Sequence, residues 1–405
     1  MLSDCTKTVF SDYEDDKETI EMKILFVVSD FDIGGITSAL KNLTNELIIR
    51  GHQVDILNMP SAASLPEGFN ANIGLIELPK KVQKWNLCIE DVKVASFPLK
   101  IFFSFVGIGK KILNKKNKWI PFIFHYMQNL DDYDVAIAFR QDPADYYVVK
   151  YKTNAKRKVG FWHGDPDYMG DTSSWDRCVY DMDCIAGVSN AVCENLLRHY
   201  PKLKDRIYTV YNIFDKKKII EQSKEYKVGY SSSAFNIVTV SRLGLSEPKN
   251  HQRIPAICKK LKADRRDFHW TIVGDGEDRG RLKQLILENG LENEISIIGK
   301  KSNPYPYIKQ ADLFVLTSSS ESYGMVVMES LILGTPVVAG DYPALKEILS
   351  NECGIRADNS TYGIYLGVKA ILDNKVKYNQ LKENCSKFKY STDETYQQFL
   401  ELCGE

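Results

Sequence analysis

Residues 312–340 read DLFVLTSSSESYGMVVMESLILGTPVVAG, and this stretch sets the predicted fold. The apolar run from Leu313 to Thr317 predicts a strand, a serine-rich turn follows, and a helix is expected from about Gly324 to Leu333. Gly334 ends that helix, and Pro336 leads into a second apolar strand. A strand, a helix and a second strand in this order are typical of a parallel α/β sheet.

Two glutamates flank the predicted start of this helix, with Glu321 in the turn and Glu329 inside the helix. The helix dipole and the free backbone N–H groups of Tyr323, Gly324 and Met325 favour an anion there, beyond the carboxyl ends of the strands. The arrangement suits a diphosphate, with Glu329 close to ribose hydroxyls and Glu321 close to the group that the diphosphate carries. An isolated pair of glutamates at this spacing is more often the solvated surface of an ordinary helix.

The whole string ESYGMVVMESLILGTPVVA, residues 321–339, resembles the donor-site motif of family 4 of the glycosyltransferases. In that family the first glutamate contacts the donor sugar near the reacting carbon, and the second holds the ribose of the nucleotide. The resemblance assigns these roles to Glu321 and Glu329. It covers residues 22–385 and implies a GT-B fold, an α/β architecture in which two Rossmann-like domains face each other across a cleft.

Composition narrows the class of protein. The chain has 405 residues, of which 44% are hydrophobic, and it carries 53 basic and 53 acidic residues. This length fits two domains of about 200 residues each. The zero net charge argues against a global attraction to nucleic acid, so no nucleic-acid partner is expected. Nine cysteines without a C-x-x-C pair argue against a metal site or a disulfide framework and favour a reducing cytoplasm.

The predicted organisation has four segments. Residues 1–21 are acidic and lack apolar periodicity, so a disordered extension is expected, and Met22 is predicted to stand at the folded start or to be the true initiator. Residues 22–213 are predicted to form an acceptor-side Rossmann-like domain, and residues 214–387 a second one that binds the nucleotide-sugar. The resemblance implies that residues 388–405 form a helix that returns to the first domain.

Glycines follow several predicted strands. Gly34 and Gly35 lie between the first strand and a helix, where a chain without side chains approaches a ligand closely. The resemblance places this pair under the donor phosphates, although its spacing differs from G-x-G-x-x-G. It also places Gly274 near the nucleotide and the loop of Lys300 and Tyr305 against the base.

Three further side chains are candidates for catalysis. Arg242 and Lys249 follow the first strand of the second domain, where fixed cations would stabilise the charge on a departing nucleoside diphosphate. Alone they are more often surface cations, but they match the phosphate clamp of the family. His163, in FWHGDP, matches the family histidine that bonds a donor-sugar hydroxyl, whereas an isolated histidine at a strand end is more often structural. Asp165 is a candidate for the acceptor side.

Residues 80–124 differ from the rest of the first domain. Ten lysines face only two acids between residues 80 and 118, and eight aromatic residues are interleaved or follow. This composition suits an interfacial segment on anionic lipid, which would make the protein peripheral on the inner face of the plasma membrane. A helical insert with core aromatics and solvated lysines fits the same pattern. No apolar run approaches the ~18 residues of a membrane span.

The resemblance implies a retaining enzyme that transfers a hexose from a nucleotide-sugar, expected to be a uridine diphosphate sugar, to a surface-polysaccharide or glycolipid intermediate. No cofactor is expected, because the nucleotide-sugar is a substrate, and no metal, because Arg242 and Lys249 supply the positive charge. Three D-x-D strings, which bind metal in glycosyltransferases of another fold, are attributed to chance: Asp30/Asp32, Asp165/Asp167 and Asp181/Asp183.

Two alternatives remain open. The first is a catalytically inactive GT-B subunit that serves as partner or chaperone of another glycosyltransferase; such relatives commonly lack the glutamates and the clamp. The second is a GT-B sugar-nucleotide epimerase, which would need acid and base groups beyond those that the sequence reveals.

Overall fold

The computed structural model describes residues 21–31, 34–59, 64–79, 120–168 and 176–405. The expected extension, apart from residue 21, lies outside these ranges, as do residues 80–119 of the lysine-rich segment. Within the described ranges, no helix combines the length and the apolar character needed to span a membrane.

The first domain alternates short strands with helices. Its strands are β1 (Lys23–Val28), β2 (Gln53–Asn58), β3 (Gly74–Glu77), β4 (Val135–Ala138), β5 (Arg157–Trp162), β6 (Cys184–Gly187) and β7 (Ile207–Thr209). Its described helices are α1 (Gly35–Ile49), α2 (Ile120–Ile123), α3 (Pro143–Tyr151), α4 (Asp176–Tyr180) and α5 (Asn190–His199), with 3-10 turns at Phe124–Tyr126, Pro166–Tyr168 and Pro201–Arg206. The strands pair in parallel in the order β3-β2-β1-β4-β5-β6-β7. The winding direction therefore changes between β1 and β4.

The second domain follows the same plan. After α6 (Lys216–Gln222), its strands are β8 (Phe235–Val240), β9 (Phe268–Val273), β10 (Ile295–Gly299), β11 (Leu313–Leu316), β12 (Val337–Gly340) and β13 (Gly354–Ala357). Its helices are α7 (Arg253–Ala263), α8 (Arg279–Glu288), α9 (Tyr305–Gln310), α10 (Met325–Ile332), α11 (Pro343–Ile348), α12 (Thr361–Leu372) and α13 (Lys375–Ser386). The parallel order β10-β9-β8-β11-β12-β13 puts the change of winding between β8 and β11.

These two parallel sheets confirm the predicted α/β class with two Rossmann-like units. The expected strand from Leu313 to Thr317 is observed as Leu313–Leu316, all four residues buried, and the helix expected from Gly324 to Leu333 runs Met325–Ile332. The sequence analysis did not predict β3, which has four residues, none of them fully buried. An edge strand of this length lacks the apolar run that reveals the central strands.

The last helix, α14 (Asp393–Cys403), packs against the first domain. Its buried Phe399 and Leu402 join the apolar cluster that covers one face of the first sheet. The Tyr396 hydroxyl lies 2.8 Å from Nε2 of His52, and Arg50 forms an ion pair with Asp393 at 2.6 Å. The end of the chain is thus anchored on the domain in which the chain begins.

Candidate active site

Two helix N-termini, one from each domain, meet at the cleft. Helix α1 begins at Gly35, directly after the loop that follows β1, and α10 begins at Met325, after β11. A Cβ atom added at Gly35 would lie 3.7 Å from Cγ of Met325, so the two helix starts are in contact. Both strands border the change of winding in their sheet, where open α/β sheets bind ligands. The positive ends of two helix dipoles therefore converge on one region.

The start of α10 keeps its donors available. Gly324, the N-cap residue, has a left-handed backbone with φ +95°, and its carbonyl accepts the N–H groups of Val327 and Met328. Among the described residues, the backbone N–H groups of Tyr323, Gly324 and Met325 donate no hydrogen bond. These are the three groups that the sequence analysis assigned to the diphosphate. A Cβ atom at Gly324 would meet a side chain at 3.1 Å in a backbone conformation that favours glycine.

Lys249 and Glu321 form an ion pair beside this helix start. Nζ of Lys249 lies 2.6 Å from Oε1 of Glu321, and the Ser318 hydroxyl donates to the same oxygen at 2.7 Å. Both charged side chains are largely shielded from solvent, with 25% and 17% of their surface exposed. Arg242, which follows β8, is exposed, and its side chain makes no hydrogen bond or ion pair within the described part of the chain.

Gly274 allows the loop after β9 to lie directly against the loop after β8. A Cβ atom there would lie 1.9 Å from the carbonyl oxygen of Ser241, and the glycine itself has φ +157°. Any side chain would therefore push away the segment that carries Arg242. The sequence analysis assigned Gly274 to the nucleotide, and the geometry adds that this glycine positions the neighbouring cationic loop.

Glu329 lies half-buried in α10. Burial raises the pKa of Glu329 to about 7, while a hydrogen bond from Tyr305 and the charge of Lys41 act in the opposite direction. The Tyr305 hydroxyl is 3.3 Å from Oε1 of Glu329, so two of the predicted donor-binding residues are brought together. Lys300 is exposed, and its side chain has no described contact with this group.

The sequence analysis missed Lys41, whose charge acts on Glu329, and Lys218, which lies beside Lys41. A Cβ atom added at Gly68 would lie 3.0 Å from Nζ of Lys218 and 3.4 Å from Cδ of Lys41, so the lysines approach each other from α6 and α1. Burial lowers the pKa of Lys41, and the charge of Lys218 lowers it further. Neither lysine lies in a recognisable motif, because their proximity arises from packing between distant segments.

His163 follows β5 and is enclosed by aromatic rings. Its ring centroid lies 4.6 Å from that of Phe139 and 5.8 Å from that of Phe161. Burial lowers the pKa of His163 to about 3, while a hydrogen bond to the backbone of Phe139 acts in the opposite direction. Nε2 is buried and has no hydrogen-bond partner in the part of the chain that the structure describes, so the bond to Phe139 involves Nδ1. A neutral imidazole with the proton on Nδ1 leaves Nε2 as an acceptor for a hydroxyl.

Asp165 is held in a local network. Its Oδ1 accepts from Nδ2 of Asn195 at 2.7 Å and from the backbone N–H of Asp167 at 3.0 Å. Asp167 itself pairs with Arg198 and His199 on α5. In the described ranges, no group of three or more His, Cys, Asp or Glu side chains could hold a metal ion.

A family comparison covers the domain that carries most of these residues. Residues 221–388 match the family model of glycosyl transferases group 1. The second domain belongs to this family. The group 1 domain contributes Arg242, Lys249, Glu321 and Glu329, whereas Gly35 and His163 come from the first domain.

Two curated relatives each match less than half of this chain. An uncharacterized glycosyltransferase of Methanocaldococcus jannaschii is 29% identical over 175 residues, which is 41% of this chain and 42% of the relative. The N-acetylgalactosamine-N,N'-diacetylbacillosaminyl-diphospho-undecaprenol 4-alpha-N-acetylgalactosaminyltransferase of Campylobacter jejuni is 26% identical over 196 residues, 47% of this chain and 51% of the relative. The chain thus spans about half the length of these curated relatives.

The fold comparison extends beyond the group 1 domain. The crystal structure of Anabaena HepE in complex with UDP and glucose superposes with a TM-score of 0.66 over 95% of this chain and 100% of that chain, at 17% identity. The two domains therefore form a GT-B fold, as the resemblance implied.

Proposed function

We propose that the protein is a retaining glycosyltransferase that transfers a hexose from a uridine diphosphate sugar to a glycan or lipid-linked acceptor. The convergence of the N-termini of α1 and α10 carries this proposal. The dipoles of both helices suit a diphosphate, as do the N–H groups of Tyr323, Gly324 and Met325, which donate no hydrogen bond among the described residues. Arg242 and Lys249 add two positive charges on the same side of the second sheet. The HepE complex, which contains UDP and glucose, supports this choice of donor.

Each candidate residue has one role in the proposed complex. The diphosphate binds between the two helix starts, Glu329 accepts the ribose hydroxyls, and Nε2 of His163 accepts a hydroxyl of the sugar. Glu321 faces the sugar near its reacting carbon. In the unliganded protein the ammonium group of Lys249 is paired with Glu321. In the proposed complex this group turns one or more of its N–H donors to the phosphate, since one ammonium group can bond a carboxylate and a phosphate at the same time.

Transfer then proceeds on one face of the sugar. The bond between the anomeric carbon and the phosphate oxygen breaks, and Arg242 and Lys249 stabilise the charge that develops on the diphosphate. The acceptor hydroxyl forms the new bond from the same side, and its proton passes to the departing phosphate oxygen. Configuration is retained, and neither a protein base nor a metal ion is needed in this scheme.

The acceptor proposal draws on the sequence and on one relative. The printed name of the Campylobacter jejuni enzyme includes a diphospho-undecaprenol acceptor, and the lysine-rich residues 80–119 would hold the protein on the inner face of the membrane where such an acceptor lies. A catalytically inactive subunit is the second candidate. The Lys249–Glu321 pair and the N–H groups at the start of α10 argue against it, because a subunit that does not bind a donor does not need them.

Donor affinity is expected to depend on the ionisation of Glu329. Only the carboxylate accepts two ribose hydroxyls, so binding favours the ionised form. With a pKa of about 7, affinity for uridine diphosphate should fall about tenfold between about pH 8 and about pH 6. Isothermal titration calorimetry of the wild type and of Glu329→Gln measures this. In Glu329→Gln, the affinity should change with pH only through the titration of the nucleotide itself. If the affinity of the wild type and that of Glu329→Gln changed equally with pH, the proposed role of Glu329 would be contradicted.

The same ionisation affects the stability of the unliganded protein. The folded pKa of Glu329 lies above the ordinary value of 4.5, so folding favours the protonated carboxyl group. The contribution of this group to the free energy of unfolding is therefore fully present below the unfolded pKa and is lost as pH rises through about 7.

The proposed chemistry is tested by an assay that contains a chelator. With a uridine diphosphate hexose and a lipid-linked or glycan acceptor, we expect release of uridine diphosphate at an unchanged rate in excess EDTA. The anomeric coupling constant in the proton NMR spectrum of the product should match that of the donor. Loss of activity in EDTA that is restored by a divalent metal would support the D-x-D alternative, and an inverted product would contradict front-face transfer.

A further inference from the structure

A carboxylate outside the proposed donor site joins the two domains. Glu347, in α11 of the group 1 domain, accepts hydrogen bonds from the backbone N–H groups of Asn190 and Ala191, each at 2.9 Å. These are the first two residues of α5, a ten-residue helix of the first domain. The Tyr211 hydroxyl adds a third hydrogen bond at 3.0 Å. One side chain of the second domain thus caps a helix of the first.

The N-cap residue of the same helix forms a second link. The Ser189 hydroxyl accepts from the N–H of Val192 at 3.1 Å and donates to the carbonyl oxygen of Ser322 at 2.7 Å. Ser322 directly follows Glu321, so this bond holds the turn of the proposed donor site against the first domain. Opening of the cleft would break both links and leave the first two N–H groups of α5 without partners.

Charge and packing favour the joined arrangement. A carboxylate at a helix N-terminus is attracted by the helix dipole, and hydrogen bonds to a charged acceptor are stronger than those between neutral groups. Beside Glu347, the ring of Tyr211 lies 5.7 Å from that of Tyr323 across the domain boundary. We call Glu347, Ser189 and Tyr211 the interdomain clasp.

We propose that Glu347 is a positioning residue that holds the cleft closed, so that the turn carrying Glu321 and the N-terminus of α1 enclose the donor diphosphate. The kinetic part of this inference rests on the proposed function, and the structural part does not. Because the clasp has no proposed contact with the donor, its loss changes how often the cleft is closed and leaves the chemistry inside the closed cleft intact.

The structural part is tested by small-angle X-ray scattering of the full chain without ligand. Glu347→Ala should increase the radius of gyration relative to the wild type, and the matched control Glu352→Ala, at an exposed carboxylate of the same domain, should not. Saturating uridine diphosphate should bring Glu347→Ala back toward the wild-type value. An identical radius for Glu347→Ala and wild type without ligand would overturn the proposal. Should Glu347→Ala fail to fold, Ser189→Ala combined with Tyr211→Phe provides the same test.

The kinetic part predicts a division between KM and kcat. Since the donor favours the closed cleft, saturating donor should compensate for loss of the clasp. Glu347→Ala should therefore raise the donor KM about tenfold, the scale of one or two charge-assisted hydrogen bonds, and change kcat by less than about threefold. A fall in kcat with an unchanged KM would overturn the positioning role. If the wild type had no transferase activity but Glu347→Ala still increased the radius of gyration, the proposed function would be refuted and the structural role of Glu347 would stand.

Discussion

Replacing Arg242 with alanine is expected to lower kcat by about 10²- to 10³-fold, the usual effect of losing one preorganised donor at a transition state. Arg242 is exposed and has no described side-chain partner, so its removal leaves no buried group uncompensated. The loss should therefore appear in turnover while the thermal midpoint remains close to that of the wild type. Steady-state kinetics with both substrates saturating measures it.

Arg281→Ala is the matched control, because Arg281 is an exposed arginine of the same domain on α8. It should keep the wild-type kcat. Full activity in Arg242→Ala would place the phosphate clamp elsewhere.

Lys249 calls for a different design, because it is paired with Glu321. Lys249→Ala removes a phosphate cation and also leaves a shielded carboxylate unpaired, so both kcat and the thermal midpoint should fall. In the double variant Lys249→Ala/Glu321→Gln the unpaired charge is absent. We expect the thermal midpoint to recover there, which would show that its fall in Lys249→Ala comes from the unpaired carboxylate. Because Glu321→Gln lowers kcat by itself, the catalytic part is measured by comparing the kcat of the double variant with that of Glu321→Gln alone, and we expect the double variant to be the slower of the two.

Substitutions of the two glutamates of the donor motif are expected to have different effects, one on kcat and the other on affinity. Glu321→Gln should lower kcat by about 10²-fold and leave the affinity for uridine diphosphate intact or slightly tighter, since it releases Lys249 for the phosphate. Glu329→Ala should instead weaken uridine diphosphate by about tenfold or more, because a carboxylate that accepts two hydroxyls is lost. Calorimetry and steady-state kinetics on both variants measure this division.

Glu292→Ala, at an exposed acid of the same domain, serves as the control for both. If Glu321→Gln and Glu329→Ala change affinity and kcat in the same proportion, the assignment of one glutamate to the sugar and the other to the ribose is wrong.

The sequence predicted those parts of the fold that depend on local pattern. The apolar run at Leu313–Leu316 and the glycine that ends the following helix were visible because burial of a strand on both faces removes polar residues from it. The edge strand Gly74–Glu77 was missed, since it is short and only partly buried. Local sequence pattern therefore predicts the central strands of a sheet more clearly than its edge strands.

The site shows the same division. Glu321, Glu329, Arg242 and Lys249 could be proposed from the sequence because they stand in motifs of one domain. The contacts that Lys249, Glu321 and Glu329 make could not. The pairing of Lys249 with Glu321 joins residues that are 72 positions apart, and the bonds from Glu347 to Asn190 and Ala191 join residues 157 and 156 positions apart. The first contact depends on how distant loops of the second domain pack together, and the second on how the two domains meet. No local spacing in the sequence encodes either.

The most direct test of the central claim is a binding screen of nucleotide-sugars against the full chain by thermal unfolding. A uridine diphosphate hexose at about a hundred times its dissociation constant should stabilise the wild type by about 2.7 kcal/mol. The same ligand should have a smaller effect on Glu329→Ala at equal concentration. If uridine diphosphate and its sugars leave the unfolding midpoint of the wild type unchanged at millimolar concentration, the cleft between α1 and α10 is not a donor site for them.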